Sequence, residues 1–182
     1  MQSRDVPKEI NFSAFVADMK YIPLCSKSVD VVTSSHALEP NGGSLQTILS
    51  ELFRIVRRKL ILFEPSYEFN SLEGKKRMEY HGYIKDLSSE VTALGGKLIE
   101  CIQIDNAINS LNPTFCYIIE PPEINFENES SGSLFSVPGT SYPLTHEDGF
   151  FMSENLGVSF PILRDIPLLK PENAILSNAL FN

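Results

Sequence analysis

Apolar and polar positions between Phe12 and Tyr67 fall into blocks whose period changes along the chain. FSAFVA is a short apolar run ending in Asp18, and SVDVVTSS is a β-branched run ending in Ser34 and Ser35, with His36 next; both are too short for a helix and rich in strand formers. LQTILSELFRIV then places Leu45, Ile48, Leu49, Leu52, Ile55 and Val56 at helical spacing, with Glu51, Arg54, Arg57 and Arg58 largely outside that stripe. KLILF is almost continuously apolar, as expected of a strand buried on both faces of a parallel sheet. Strands alternating with an amphipathic helix predict βαβ crossovers. Ligands of such open sheets lie beyond the carboxyl ends of the strands. Asp18, Ser34, Ser35, His36 and Glu64 each follow a predicted strand directly and are expected along one rim. Ala37 to Ser44, with Pro40, Asn41, Gly42 and Gly43, reads as a loop at that rim, and Ser44 as the helix cap.

Beyond Glu64-Pro65 the pattern continues as an α/β unit. Met78, Tyr80, His81, Tyr83, Ile84, Leu87, Val91 and Leu94 form an interrupted helical stripe closed by Gly95-Gly96. KLIECIQI and TFCYIIEP read as the last two strands, an antiparallel edge hairpin. Pro121-Pro122 opens an acidic, Ser-containing stretch with little periodicity, which is the expected linker. The expected organisation is therefore an α/β domain over 1–120, a linker over 121–132 and a small, mostly β domain over 133–182, with turn signals at His146 to Gly149 and Glu154 to Gly157. Residues 1–10 are polar and carry Pro7, and are expected to form no element.

Charge changes the picture in the second half. Residues 1–122 hold 13 Lys/Arg and 15 Asp/Glu, a net of −2, whereas residues 123–182 hold 2 and 8, a net of −6; together they give the chain's −8. An acidic chain without a basic cluster is poorly suited to neutralising phosphates, so direct nucleic-acid binding is not expected. Arg57-Arg58-Lys59 reads as a helix end, where cations complement the dipole. Cys25, Cys101 and Cys116 are few, odd in number and without C-x-x-C spacing, which suggests neither a disulfide framework nor a zinc site. MQSRDVPKEINF has no apolar signal segment, and no stretch approaches about 18 apolar residues. A soluble cytoplasmic protein with no membrane association is expected, and 182 residues with 42% hydrophobic content can bury a core.

The residues also carry a resemblance. Ala17-Asp18, Ile22-Pro23-Leu24, Ser28-Val29-Asp30-Val31-Val32, Ser35-His36-Ala37-Leu38, Leu52-Phe53-Arg54-Ile55-Val56 and Leu60-Ile61-Leu62-Phe63-Glu64-Pro65 follow one another as do the later motifs of class I S-adenosylmethionine-dependent methyltransferases of the small-molecule type. The resemblance covers roughly residues 11–120 and rests on the order of the motifs. It implies a partial Rossmann-like methyltransferase sheet and S-adenosylmethionine as cofactor. It also implies that Asp18 lies beside the adenine, that the Met19 backbone helps to hold the ring, and that Ser34, Ser35 and His36 line the cleft where donor and acceptor meet. The segment after the fifth strand builds the acceptor pocket in that family, which makes Glu64, Tyr67, Tyr80 and His81 the expected acceptor contacts. The family's opening strand and Gly-rich turn, D-x-G-x-G, have no counterpart here, and Gly42-Gly43 falls later, in a loop. Either the sequence is the downstream piece of a longer protein or half of the cofactor site has been lost.

The second segment resembles the small zinc-ribbon-like proteins that activate several methyltransferases, through Val137-Pro138-Gly139-Thr140, Pro143-Leu144, Phe160-Pro161-Ile162 and Asp165-Ile166-Pro167. The first cysteine pair of that pattern is absent, and one His146 cannot replace it, so no metal is expected.

Two functions stay open on these grounds. One is a methyltransferase, or the downstream part of one, acting on a small-molecule acceptor, with His36 as the base where the acceptor must lose a proton. The other is an inactive interaction or scaffold module that binds a partner methyltransferase, with a protein partner or homodimer. A phosphate-binding enzyme would want a P-loop or G-x-G-x-x-G, and a hydrolase a G-x-S-x-G elbow; none occurs.

Overall fold

The computed structural model describes residues 13–105, 109–123 and 132–177. Residues 1–12 and most of the expected linker, 124–131, lie outside the described residues. The elements of the first unit are β1 (Val29–Ser35), α1 (Leu45–Ile55), β2 (Val56–Pro65), α2 (Leu72–His81), α3 (Leu87–Ala93), β3 (Lys97–Gln103) and β4 (Thr114–Glu120). They form a four-stranded sheet in the order β1-β2-β4-β3. β1 and β2 are parallel, with α1 as their crossover, and β4 runs antiparallel to both β2 and β3.

The apolar stripe of α1 decides where the core sits. Leu45, Ile48, Leu49, Leu52 and Phe53 are buried against Leu60 and Leu62 of β2 and Tyr117 and Ile119 of β4, closed by Leu87 and Val91 of α3. Ser44 occupies the N-cap position of α1, yet its side chain makes no capping bond. Gly96 passes so close to this core that a Cβ there would sit 2.4 Å from Phe53 Cζ. Gly96→Ala is therefore expected to lower stability by about 1–3 kcal/mol through overpacking, seen as a lower urea midpoint with unchanged slope.

Several expectations change. Ser13 to Ala17, the described part of FSAFVA, is not a strand of this sheet: Val16 bridges Leu168 of the second unit in parallel, with Val16 N–H on Pro167 O at 2.9 Å and Leu169 N–H on Val16 O at 2.8 Å. Its backbone groups and the ring of Phe15, set edge-on to Phe135 at 5.4 Å, find their partners there. Arg57-Arg58-Lys59 begins β2 rather than ending the helix, because Val56 is already extended (ψ 137°) and Asp30 pairs with both arginines at 3.1 and 3.2 Å. β3 and β4 are antiparallel neighbours as expected, but only β3 is at the edge; the nearly continuous burial of β4 suits the place between β2 and β3. The interrupted stripe from Met78 to Leu94 resolves into α2 and α3, separated at Gly82, whose φ of 65° ends α2.

The second unit is a small antiparallel sheet, β5 (Thr145–Glu147), β6 (Phe150–Ser153), β7 (Val158–Leu163) and β8 (Ile166–Pro167), with β9 (Ile175–Leu176) on β7. Both turn signals hold: Gly149 (φ 85°) and Gly157 (φ 61°) supply left-handed conformations in the links before β6 and β7. Val137, Leu144, Phe160 and Leu169 form its core. The chain from Ala14 to Cys25 joins the two units: Val16 bonds to Pro167 and Leu169 and Pro23 to Cys25 pair with Leu134 to Ser136 of the second unit, while Arg54 holds Ile22 and Leu24 to α1.

Candidate functional site

Parallel pairing of β1 and β2 brings their carboxyl ends together, with Ser35 opposite Phe63. The ladder runs one residue further, where His36 N–H donates to Phe63 O at 2.9 Å. The chain then turns sharply, with His36 at φ 54°, a left-handed conformation that histidine adopts more readily than most residues. Beneath the turn lies Glu64, fully buried. Its two oxygens accept the amides of Leu38 and Glu39, both at 3.0 Å, and Ser34 Oγ donates to Oε1 at 3.4 Å. Glu64 therefore anchors the loop from below, with both oxygens occupied. Burial pushes its carboxyl above the ordinary range, against the opposing pull of those two amides, the His36 charge and the Ser34 hydroxyl.

Above this anchor the loop presents a second carboxylate. Glu39 Oε2 lies 2.7 Å from His36 Nδ1, and Glu39 Oε1 accepts from Asn112 Nδ2 at 3.0 Å. His36 Nε2 in turn lies 3.2 Å from Thr114 Oγ1. The His36 side chain is 40% exposed and that of Glu39 12%, so the pair is supported from inside and open on one side. His36 was legible from its place after β1. Glu39, Asn112 and Thr114 were not, because residues 73 to 78 positions apart are joined here only by the tertiary fold. The sole local signal was the three-residue step from His36 to Glu39 in one loop.

The same loop borders a cavity of about 520 Å³ lined by Gly43, Ser44, Thr47, Glu79, Lys85 and Asp86, among others. Gly42 N–H bonds to Gly82 O, and Ile84 N–H to Glu39 O, which ties the rim loop to the break after α2. Beside it, the Tyr67 hydroxyl donates to Glu79 Oε1 at 2.6 Å, and Lys75 and Lys85 lie over its ring at 5.4 and 5.0 Å. The bond to Glu79 raises the Tyr67 hydroxyl and lowers the Glu79 carboxyl, the latter aided by Lys85. Tyr80 is 86% exposed and meets His81 edge-on, while His81 stacks on Tyr83. No hydrogen bond or ion pair among the described residues joins Tyr80 or His81 to His36.

Asp18 turns back on itself: it bridges Tyr21, and its Oδ1 accepts Lys20 N–H at 2.8 Å. Met19 packs against the main core. The structure thus gathers Ser34, His36 and Glu64 into one hydrogen-bonded cluster with Ser35 beside them, and keeps Asp18, Tyr67, Tyr80 and His81 at separate places along the chain.

No protein-family profile matches this chain, and neither does any curated protein. Among solved structures it is similar to a SAM-dependent methyltransferase from Methanosarcina mazei. The identity is 14% and the TM-score 0.45, over 58% of this chain and 65% of that one. The chain thus spans less than two thirds of that protein's length. No described helix is long and apolar enough to cross a membrane.

Proposed function

We propose that this chain is a SAM-dependent methyltransferase unit, or the downstream part of one, that serves a small-molecule acceptor. The observation that carries the reading is the parallel β1-α1-β2 crossover whose carboxyl ends hold Ser34, Ser35 and His36 over the buried Glu64. Open α/β sheets place their ligands at that rim, and the motif order along residues 11–120 supports the same reading. The donor supplies a methyl group on a positively charged sulfur. Ser34 and Ser35 are the residues assigned to its reactive end, and Asp18 and Met19 to the adenine. Asp18 suits that task because one oxygen is taken by its own turn while the other has no partner among the described residues. What this chain contributes to the rate is positioning, holding the acceptor in line and excluding water. Tyr67, Tyr80 and His81 are assigned to the acceptor side, and the second unit to a ribbon-like accessory role.

Calorimetric titration with S-adenosylmethionine and S-adenosylhomocysteine tests this. Saturable binding of both, lost in Asp18→Ala, is expected; a folded chain that takes up neither overturns the reading.

A second reading, an interaction module for a partner methyltransferase, is favoured by the sheet face away from α1. Val31 on β1, which pairs in parallel with β2, is 52% exposed, although parallel strands are normally covered on both faces, and Ile102 on the antiparallel edge strand β3 is 48% exposed. Sedimentation of the wild type against Val31→Glu tests it. Self-association lost in the variant favours this reading, and a monomer in both counts against a homodimer.

A further inference from the structure

We propose that Glu39 fixes His36 as a base whose Nε2 takes a proton from a hydroxyl, and that the acceptor of this site is therefore an alcohol or phenol. This rests on the methyl-transfer reading above for the fate of the oxygen, and on the geometry alone for the fate of the proton.

The array is a carboxylate, an imidazole and a hydroxyl in sequence, Glu39 Oε2 to His36 Nδ1 at 2.7 Å and His36 Nε2 to Thr114 Oγ1 at 3.2 Å. A carboxylate can only accept, so the proton of a neutral His36 sits on Nδ1 and its lone pair on Nε2. Glu39 cannot easily turn away. Its Oε1 accepts from Asn112, its own amide is held by Glu64 and its carbonyl by Ile84 N–H. Glu39 is a positioning residue in this arrangement, and it also stabilises the imidazolium that forms.

Thr114 Oγ1 stands where the ligand's hydroxyl would go. It shows which kind of group Nε2 accepts from, and His36 is open enough for a ligand to compete for the place. An acceptor with a free lone pair, such as a thioether or an unprotonated amine, needs no base. A hydroxyl does. Its O–H bond breaks as the N–H bond forms at Nε2, and the electron pair stays on oxygen. That oxygen bonds to the methyl carbon as the carbon–sulfur bond breaks with its pair going to sulfur, and the imidazolium returns its proton to water.

The test reads the imidazole directly. With ¹⁵N-labelled histidine in alkaline buffer, long-range ¹H–¹⁵N correlation reports which nitrogen of His36 carries the proton. The expected result is the Nδ1–H tautomer in the wild type, lost in Glu39→Met and kept in Thr114→Val. An Nε2–H tautomer in the wild type, or no change in folded Glu39→Met, overturns the assignment. Should Glu39→Met fail to fold, the wild-type spectrum still decides. Titration with phenol and with anisole, the same ring without its O–H, then tests the acceptor class. A saturable shift of His36 Nε2 with phenol and none with anisole is expected, and equal shifts or no shift overturn it. Calorimetry on the same samples separates the failures. Loss of S-adenosylmethionine binding with the tautomer intact sinks the methyl-transfer reading alone, whereas binding with an Nε2–H wild type sinks this inference alone.

Discussion

Glu64→Ala is expected to lower the unfolding free energy by about 3–5 kcal/mol, the largest effect of any single rim substitution. Two buried amides, those of Leu38 and Glu39, lose their only acceptors among the described residues, and each orphaned donor costs about 1–3 kcal/mol. A side chain that was fully buried also leaves a hole. Urea denaturation with matched slopes measures the loss. Its pH dependence has a defined sign. Burial raises the folded-state carboxyl above its unfolded value, so Glu64 contributes most below the ordinary carboxylate range, and part of that contribution is lost as pH rises through the raised value. The gap between wild type and Glu64→Ala should therefore narrow from about pH 4 to about pH 8. A gap that widened over this interval would show that the two amides outweigh burial.

Arg54→Met comes next, at about 2–4 kcal/mol. The guanidinium donates to Leu24 O at 2.6 Å and Ile22 O at 2.7 Å, while Nε and Nη2 bind the two oxygens of Glu51 at 2.9 Å each. Glu51 Oε2 in turn accepts Ile22 N–H at 3.0 Å. Both side chains are mostly buried, 19% and 16% exposed, so removing the cation leaves a carboxylate and two carbonyls short of partners. Some water reaches the pair, which keeps the estimate below that of a fully buried one. Methionine keeps the stem and removes the charge. The double variant Arg54→Met/Glu51→Met should recover part of the loss, because the stranded carboxylate goes with it. The region that loosens is 19–25, the segment that links α1 to the second unit, and limited proteolysis there should follow the same order.

These two networks show how unevenly the site could be read in advance. Glu64 was expected at the rim from its position after a buried strand, as a contact for a ligand. Its burial and its two amide partners also make it the support of the loop. His36 was singled out by position, yet the contacts on which its proposed role rests are those to Glu39, held by Asn112, and to Thr114 opposite. Nothing local to Asn112 or Thr114 announces this. Arg54 was read only as lying off the apolar stripe of α1, whereas in the fold it donates to the carbonyls of Ile22 and Leu24.

The sequence by itself determined the elements whose identity is periodic: the buried stripe of α1, the strands β1 to β4, and the turns at Gly149 and Gly157. Period and turn chemistry act over a few residues, so they can be read without a partner. Only the tertiary structure decided that β4 enters between β2 and β3, and that residues 14–18 leave the first sheet for the second unit. The physical reason is that a short apolar run specifies that its groups must be buried and hydrogen-bonded, not where. For Val16 the acceptor and donor that answered were Pro167 O and Leu169 N–H, about 150 residues away in sequence.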